Sequence, residues 1–198
     1  MSSKEQVIAE TRAWVDRAVI GLNLCPFARA EHVNHRIRYH VSPARTEEAL
    51  RQDLSTELQA LAAADPQACE TTLLIHPHVL ADFGDYNQFL DQVDAELKRL
   101  GLEGVLQVAT FHPGYQFAGT DPDDVTNCTN RSPYPTLHLL REASVERAVA
   151  GYPDAARIVD RNLATLRRLG PEGWRQLGIP TPATHPSVEC RPAPGTSP

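Results

Sequence analysis

Several classes of protein are disfavoured by what the 198-residue sequence lacks. It has no run of about 18 to 20 apolar residues, the length that a membrane-spanning helix needs, and its start, MSSKEQVIAE, lacks the apolar segment of a secretion signal. It also lacks a basic surplus. The formal net charge of -6 argues against a general binder of nucleic acid or anionic membranes. A cytoplasmic protein that binds neither is expected.

Motifs for the commonest catalytic and metal sites are missing as well. The four cysteines are far apart and form no CxxC pair, which argues against a zinc ribbon or a disulfide framework and favours reduced thiols. The sequence contains no GxSxG, GxxxxGK or GxGxxG motif. Serine hydrolases, nucleoside triphosphatases and dinucleotide enzymes of the usual kinds therefore lack support.

Apolar periodicity outlines an α/β fold in the first 111 residues. It predicts a helix over 3–22, a strand over 36–41, a helix over 46–64, a strand over 71–75, a helix over 82–100 and a strand over 105–111. The first strand alternates polar and apolar residues, as at a sheet edge, and the second is continuously apolar, as at a sheet centre. Two consecutive βαβ units, with at least three parallel strands, are expected, and a ferredoxin-like α+β sheet is the alternative.

The remaining chain predicts helices and a tail. Pro135 suits the first turn of a helix that runs to about Val149, and Asp154 caps a further helix that ends near Gly170. From residue 179 onward the sequence is rich in proline and poor in periodic apolar residues. We therefore expect one α/β domain over 1–178 and a proline-rich tail over 179–198.

A repeated His-Pro pair is the most informative feature for function. His76-Pro77 and His112-Pro113 each follow an apolar strand. If the strands are parallel, both imidazoles emerge at the carboxyl edge of the sheet, where open α/β sheets bind ligands. His76 and His112 are thus candidate catalytic residues or metal ligands. The alternative is that each ring only caps a strand by bonding a backbone group.

His138 and Glu142 are a second candidate pair. They are four residues apart on the predicted helix, so they share one face of it. Together with His76 and His112 they would form a metal site, and histidine with carboxylate ligands suits zinc or iron. An exposed ion pair between His138 and Glu142 is the alternative.

The polar loop before Pro135 offers groups that bind anions. Arg131 carries a forked pair of donors for a carboxylate or phosphate, and Asn127, Asn130 and Tyr115 are grouped with it as substrate-binding residues. Alternatively, the asparagines shape turns and Arg131 pairs with a nearby aspartate.

Cys25, set at a turn by Pro26, is a candidate nucleophile or soft metal ligand. The alternative is that Cys25 is a small buried hydrophobic residue.

Three motifs resemble one bacterial family in the same order. They are Asn23-Leu24-Cys25-Pro26-Phe27, the segment His112-Pro113-x-Tyr115-Gln116-Phe117, and Thr129-Asn130-Arg131-Ser132-Pro133-Tyr134-Pro135 with His138 and Arg141-Glu142. The sequence is similar to the family known as domain of unknown function 1415 over about residues 5 to 170. That resemblance implies no particular reaction.

The sequence therefore predicts an α/β enzyme that acts on a small anionic metabolite, with acid-base groups or a divalent metal at the sheet edge. A non-catalytic protein that binds a metal or metabolite in the same pocket is the alternative. A module that contacts a partner protein through the polar loop is a third reading.

Overall fold

A four-stranded mixed sheet lies at the centre of the structure, a computed structural model that describes residues 3–151 and 157–180. Its strands are β1 (Ile37–Val41), β2 (Thr71–Ile75), β3 (Leu106–Phe111) and β4 (Thr136–Arg141), in the spatial order β1-β2-β4-β3. β1 and β2 pair in parallel, and β4 is antiparallel to both β2 and β3. β1, β2 and β3 therefore point in one direction and β4 points against them.

The predicted α/β class is confirmed, but the sheet is mixed, so the predicted arrangement of neighbouring parallel strands in βαβαβ order is not confirmed. β1 lies at an edge and β2 in the interior, as expected, whereas β4 separates β2 from β3. The reason is that residues 136–141 form a strand and not the first turns of the predicted helix. Leu137 and Leu139 of β4 are fully buried in one core, and the strand is covered on both faces. Polar and apolar residues alternate only over 136–139, a run that is too short to distinguish this strand from the start of a helix.

Six α-helices flank the sheet in the described residues. They are α1 (Lys4–Trp14), α2 (Ala28–Val33), α3 (Glu47–Ala63), α4 (Phe83–Arg99), α5 (Glu142–Ala150) and α6 (Ile158–Gln176). A π-helical turn, Val15–Ile20, continues α1, and α6 loses helical geometry at Gly170, where φ is 69°. Asp82 caps α4 by accepting hydrogen bonds from the backbone N–H groups of Gly84 and Asp85.

Each face of the sheet has its own apolar core. α3 and α4 cover one face with Leu50, Leu54, Phe89 and other buried side chains. α1 and its π-helical turn cover the other face, where Trp14 packs edge-on against Phe111 with a ring separation of 5.2 Å. Burial of these large side chains supplies most of the driving force for folding. The two faces consequently offer two separate environments for functional groups.

The last helix packs on a short helix outside the sheet, and Trp174 near its end also packs against the core beside α1. α6 packs on a short 3-10 helix, Val125–Thr129, through Leu166 and Cys128. The predicted start of this helix at Asp154 and most of the predicted tail, residues 181–198, lie outside the described residues. Within the described part of the chain, no helix combines the length and apolar character needed to cross a membrane.

Candidate functional site

His138 lies in the middle of β4, on the sheet face that α1 covers. Its strand neighbours are Leu73 of β2 and Ala109 of β3. The prediction that His138 and Glu142 share one face of a helix is therefore wrong. Glu142 is the first residue of α5, whereas alternation along β4 sets the direction of the His138 side chain.

A cavity of about 310 Å³ lies against this face of the sheet. α1 and its π-helical turn, α2 and α5 form the other walls. The lining from the helices includes Trp14, Val15, Val19, Phe27, Ala28, Val145 and Ala148, and the lining from the sheet includes Ile37, Thr71, Leu73, Ala109, Phe111, His138 and Leu140. Its volume falls at the lower end of the range of pockets that hold small molecules, about 300 to 1,000 Å³.

The surface of the cavity is almost entirely apolar, although three charged residues contribute to its lining. Glu31 forms an ion pair with Arg36, with Nε and Oε2 2.9 Å apart. Arg141 donates from one terminal nitrogen to three backbone carbonyl oxygens, those of Leu61 and Ala64 at 2.7 Å and that of Cys69 at 3.2 Å. The guanidinium of Arg141 thus stabilises the carboxyl end of α3, where backbone carbonyl groups lack hydrogen-bond partners within the helix.

Cys25 also lines this cavity, on the turn between the π-helical turn and α2. The turn is held from α6, because the side-chain amide of Asn162 donates to the carbonyl oxygen of Leu24 at 2.8 Å. Burial raises the pKa of the Cys25 thiol, and backbone hydrogen bonds at Phe27 and Ala28 oppose the rise. The thiol is therefore protonated at neutral pH, which is the unreactive form.

The imidazole of His138 is bonded to a threonine of the neighbouring strand. Nε2 of His138 lies 2.7 Å from Oγ1 of Thr71, which also donates to the carbonyl oxygen of Leu139 at 2.6 Å. The ring is partly accessible and lines the cavity, while the protein atoms packed around it lower its pKa to about 4. His138 is therefore neutral at physiological pH.

His76 and His112 lie on the opposite face of the sheet, at the carboxyl ends of β2 and β3. Both rings are almost fully buried, and Tyr86 of α4 packs against both, with ring separations of 5.8 Å to His76 and 5.0 Å to His112. Burial, helped by the nearby His112, lowers the pKa of His76 to about 4. The two His-Pro units thus meet at one end of the sheet, beneath the start of α4.

The hydrogen bonds of these two rings support the strand-capping alternative. Nδ1 of His76 donates to the carbonyl oxygen of Val79, and Nε2 of His112 donates to that of Leu80, each at 3.1 Å. Nδ1 of His112 accepts from the backbone N–H of Gly114 at 3.0 Å. Both imidazoles therefore hold the loop between β2 and α4, and the catalytic roles predicted for them stay predictions.

The polar-loop residues that were predicted to bind a substrate instead form hydrogen bonds within the loop and to β3. Arg131 donates to the carbonyl oxygens of Tyr115 at 3.0 Å and Pro122 at 2.7 Å. The side chain of Asn127 bonds Phe117, Thr120 and Asp121 of the same loop. Asn130 donates to the carbonyl oxygen of Thr110 at 3.1 Å. This pattern agrees with the turn-shaping alternative for the asparagines.

The predicted site residues therefore form two groups and not one. His138 and Cys25 line the cavity beside α1, whereas His76 and His112 lie on the far face of the sheet. Across residues 3–151 and 157–180, no three side chains of His, Cys, Asp or Glu are grouped closely enough to hold a metal ion. The four predicted metal ligands do not converge.

Sequence reasoning missed most of the cavity wall. Thr71, which bonds His138, is a hydroxyl residue at the start of an apolar strand, and Ala109 is a small residue among larger ones in β3. A hydroxyl in a fully buried strand needs a partner, which was the available signal for Thr71. The small side chain of Ala109 leaves room above the sheet, but nothing in the sequence places it opposite α1.

Comparison with known proteins gives a family without an activity. The family model described as "Protein of unknown function (DUF1415)" matches residues 6–176. No curated protein and no solved structure matches the chain.

Proposed function

Since the chain belongs to this family of unknown function, we propose from the cavity geometry that it binds a small, uncharged, predominantly apolar molecule. The observation that carries the proposal is the apolar cavity of about 310 Å³ between the sheet and α1. Ligand pockets in proteins are mainly apolar, with a few polar groups that fix orientation. His138 and Thr71 are such a group in this wall.

The same geometry disfavours the anionic metabolite that the sequence suggested. An anion needs an available cation or a set of free N–H donors. One terminal nitrogen of Arg141 donates to the carbonyl oxygens at the end of α3, whereas its Nε has no hydrogen-bond partner in the described residues but is fully enclosed by protein atoms. Arg131 directs its bonds to carbonyl oxygens of the polar loop. Transfer of a charged group into a wall of carbon atoms would be costly, so an uncharged ligand is favoured.

Binding is also favoured over catalysis. A nucleophilic cysteine works as a thiolate, and burial raises the pKa of Cys25. A general base is most effective with a pKa near the working pH, and that of His138 is lowered to about 4. We therefore propose a binding protein. A catalytic role would need the ligand itself to change these environments.

A neutral fluorescent probe tests the proposal. N-phenyl-1-naphthylamine is apolar and small, and its fluorescence rises when it leaves water for an apolar site. We expect saturable binding with a stoichiometry of one, accompanied by quenching of Trp14, which lines the cavity. Absence of saturable binding to the folded protein would refute the proposal.

A variant that fills the cavity locates the site. Ala109→Leu adds carbon atoms to the floor of the cavity, and we expect probe affinity to fall at least about 10-fold with the fold intact. Ala63→Leu adds the same atoms at an exposed position of α3 and is the matched control. Equal binding by both variants would place the probe elsewhere. Native mass spectrometry of freshly purified protein then identifies the natural ligand by mass.

A further inference from the structure

We infer that the ligand of this cavity carries a hydroxyl group, or another uncharged hydrogen-bond donor, which donates to Nδ1 of His138. The inference rests on the proposed function, because it names the chemical class of the molecule that the cavity binds. It follows from the hydrogen bonds between His138, Thr71 and Leu139.

The proton of Thr71 fixes the tautomer of His138. A carbonyl oxygen only accepts, so the 2.6 Å contact between Oγ1 of Thr71 and the carbonyl oxygen of Leu139 uses the single hydroxyl proton. Toward His138, Oγ1 of Thr71 can then only accept. The proton of the 2.7 Å contact therefore belongs to Nε2 of His138. In the neutral ring, Nδ1 is left as an acceptor.

This acceptor is available to a ligand. Nδ1 of His138 receives no hydrogen bond from the described residues. In the described part of the chain, some polar side-chain atoms are enclosed by protein and have no hydrogen-bond partner, for example Nε2 of His76. Nδ1 of His138 is not one of these enclosed atoms. Nδ1 is thus accessible, and the space that the His138 side chain lines is the apolar cavity.

The complementary head group is a neutral donor. A carboxylate would place its lone pairs against the lone pair of Nδ1, and an ether or ketone offers no proton. The low pKa of His138, about 4, keeps the ring neutral at pH 7 and therefore keeps Nδ1 an acceptor. A hydroxyl on an apolar body satisfies both Nδ1 and the carbon-lined wall.

Matched naphthalenes test this selectivity by displacement of bound N-phenyl-1-naphthylamine. We expect 2-naphthol to bind at least about 10-fold more tightly than 2-methoxynaphthalene, which lacks the donor, and 2-naphthoate to compete least. In His138→Phe the preference for the naphthol over its methyl ether should fall to near one, and this ratio is independent of any change in the affinity for the probe. Equal affinities of the naphthol and its methyl ether for the wild-type protein would overturn the inference and leave the proposed function standing. Failure of the probe to bind would refute the proposed function.

Two threonine variants separate positioning from folding. Thr71→Val removes the acceptor that holds the proton on Nε2, so the ring can place it on Nδ1, and the hydroxyl preference should fall at least about threefold. Thr72→Val alters the next residue of β2, which points to the other core, and should keep the wild-type preference. An unchanged preference in Thr71→Val would overturn the tautomer argument, even if His138→Phe did not fold. The ¹⁵N shifts of the His138 ring in the wild-type protein should show the Nε2–H tautomer, and the opposite tautomer would overturn the inference independently.

Discussion

His112 donates a hydrogen bond from Nε2 to the carbonyl oxygen of Leu80 at 3.1 Å, and Leu80 has a backbone φ of 57°. That conformation is unfavourable for a residue with a branched side chain, at a cost of order 1 to 3 kcal/mol. A buried imidazole therefore holds a strained turn that leads to α4. This relationship predicts that His112 contributes to stability.

We expect His112→Ala to lower the free energy of unfolding by about 2 to 4 kcal/mol, because it leaves a cavity and an unpaired carbonyl oxygen. Urea denaturation measures the change. His78→Ala, in the same loop but less buried, is the control and should change stability by no more than about 0.5 kcal/mol. A small effect in His112→Ala would return His112 to the candidates for a functional role.

Stability should fall as the pH is lowered from about 6.5 to about 4. The pKa values of His76 and His138 are about 4 in the folded protein, below the ordinary 6.5. The unfolded chain therefore binds more protons in this window, and stability that is complete above pH 6.5 is lost as the pH approaches 4. For the fully buried His76, the loss in the free energy of unfolding over this pH range is on the order of 3 kcal/mol.

Chemical denaturation at a series of pH values tests this linkage. His138→Phe should flatten the dependence between pH 6.5 and 4, because one of the two rings no longer takes up a proton on unfolding. His35→Asn is the control, since His35 is exposed and asparagine tolerates its φ of 56°. A slope that is the same in His138→Phe and in the wild-type protein would contradict the assignment.

Arg141 should stabilise the end of α3. Arg141→Met removes the donor to the carbonyl oxygens of Leu61, Ala64 and Cys69, and we expect a loss of about 2 to 3 kcal/mol. Amide exchange in the last turn of α3 should accelerate more than exchange in α4. Arg147→Met, at an exposed position of α5, is the matched control and should leave both quantities unchanged. Uniform acceleration in all helices would indicate a general loss of packing instead.

Cys25 should react slowly with iodoacetamide at pH 7.5. Burial raises the pKa of its thiol, so the thiolate fraction is small, and the reaction should accelerate as the pH rises. Mass spectrometry of peptides follows the modification of Cys25 separately from that of the other cysteines. N-phenyl-1-naphthylamine should slow the reaction if it occupies the cavity that Cys25 lines. Rapid labelling at pH 7.5 would instead indicate an activated thiol.

Local patterns predicted most of the elements but not the pairing of the strands. The alternation in β1 and the continuous apolar run of β2 were sufficient to place them at an edge and in the interior of the sheet. In residues 136–141 the alternation of polar and apolar residues ends after four residues, at Leu140, and Pro135 is as compatible with the start of a strand as with that of a helix. Insertion of β4 between β2 and β3 depends on long-range contacts.

The same limit applies to the candidate site. Sequence reasoning selected Cys25 and His138, which line one cavity, but it grouped them with His76 and His112 across the sheet. The direction of a side chain in a strand reverses with each residue, so His138 could be assigned to a face only once β4 was known to be a strand. Thr71, its hydrogen-bond partner, is 67 residues away in the chain.

The central position of β4 has a consequence for the order in which the protein assembles on the ribosome. Among the described strands, β3 pairs with β4 alone, and β2 is flanked by β1 and β4. A nascent chain that has emerged only as far as Ser132 thus contains the paired strands β1 and β2 and the single strand β3, without the strand that lies between β2 and β3. Emergence of β4 joins them in one step and also supplies His138 to the cavity wall. The sheet is therefore completed late in synthesis, and the proposed binding site is complete only after α5, which follows β4 directly, has also emerged.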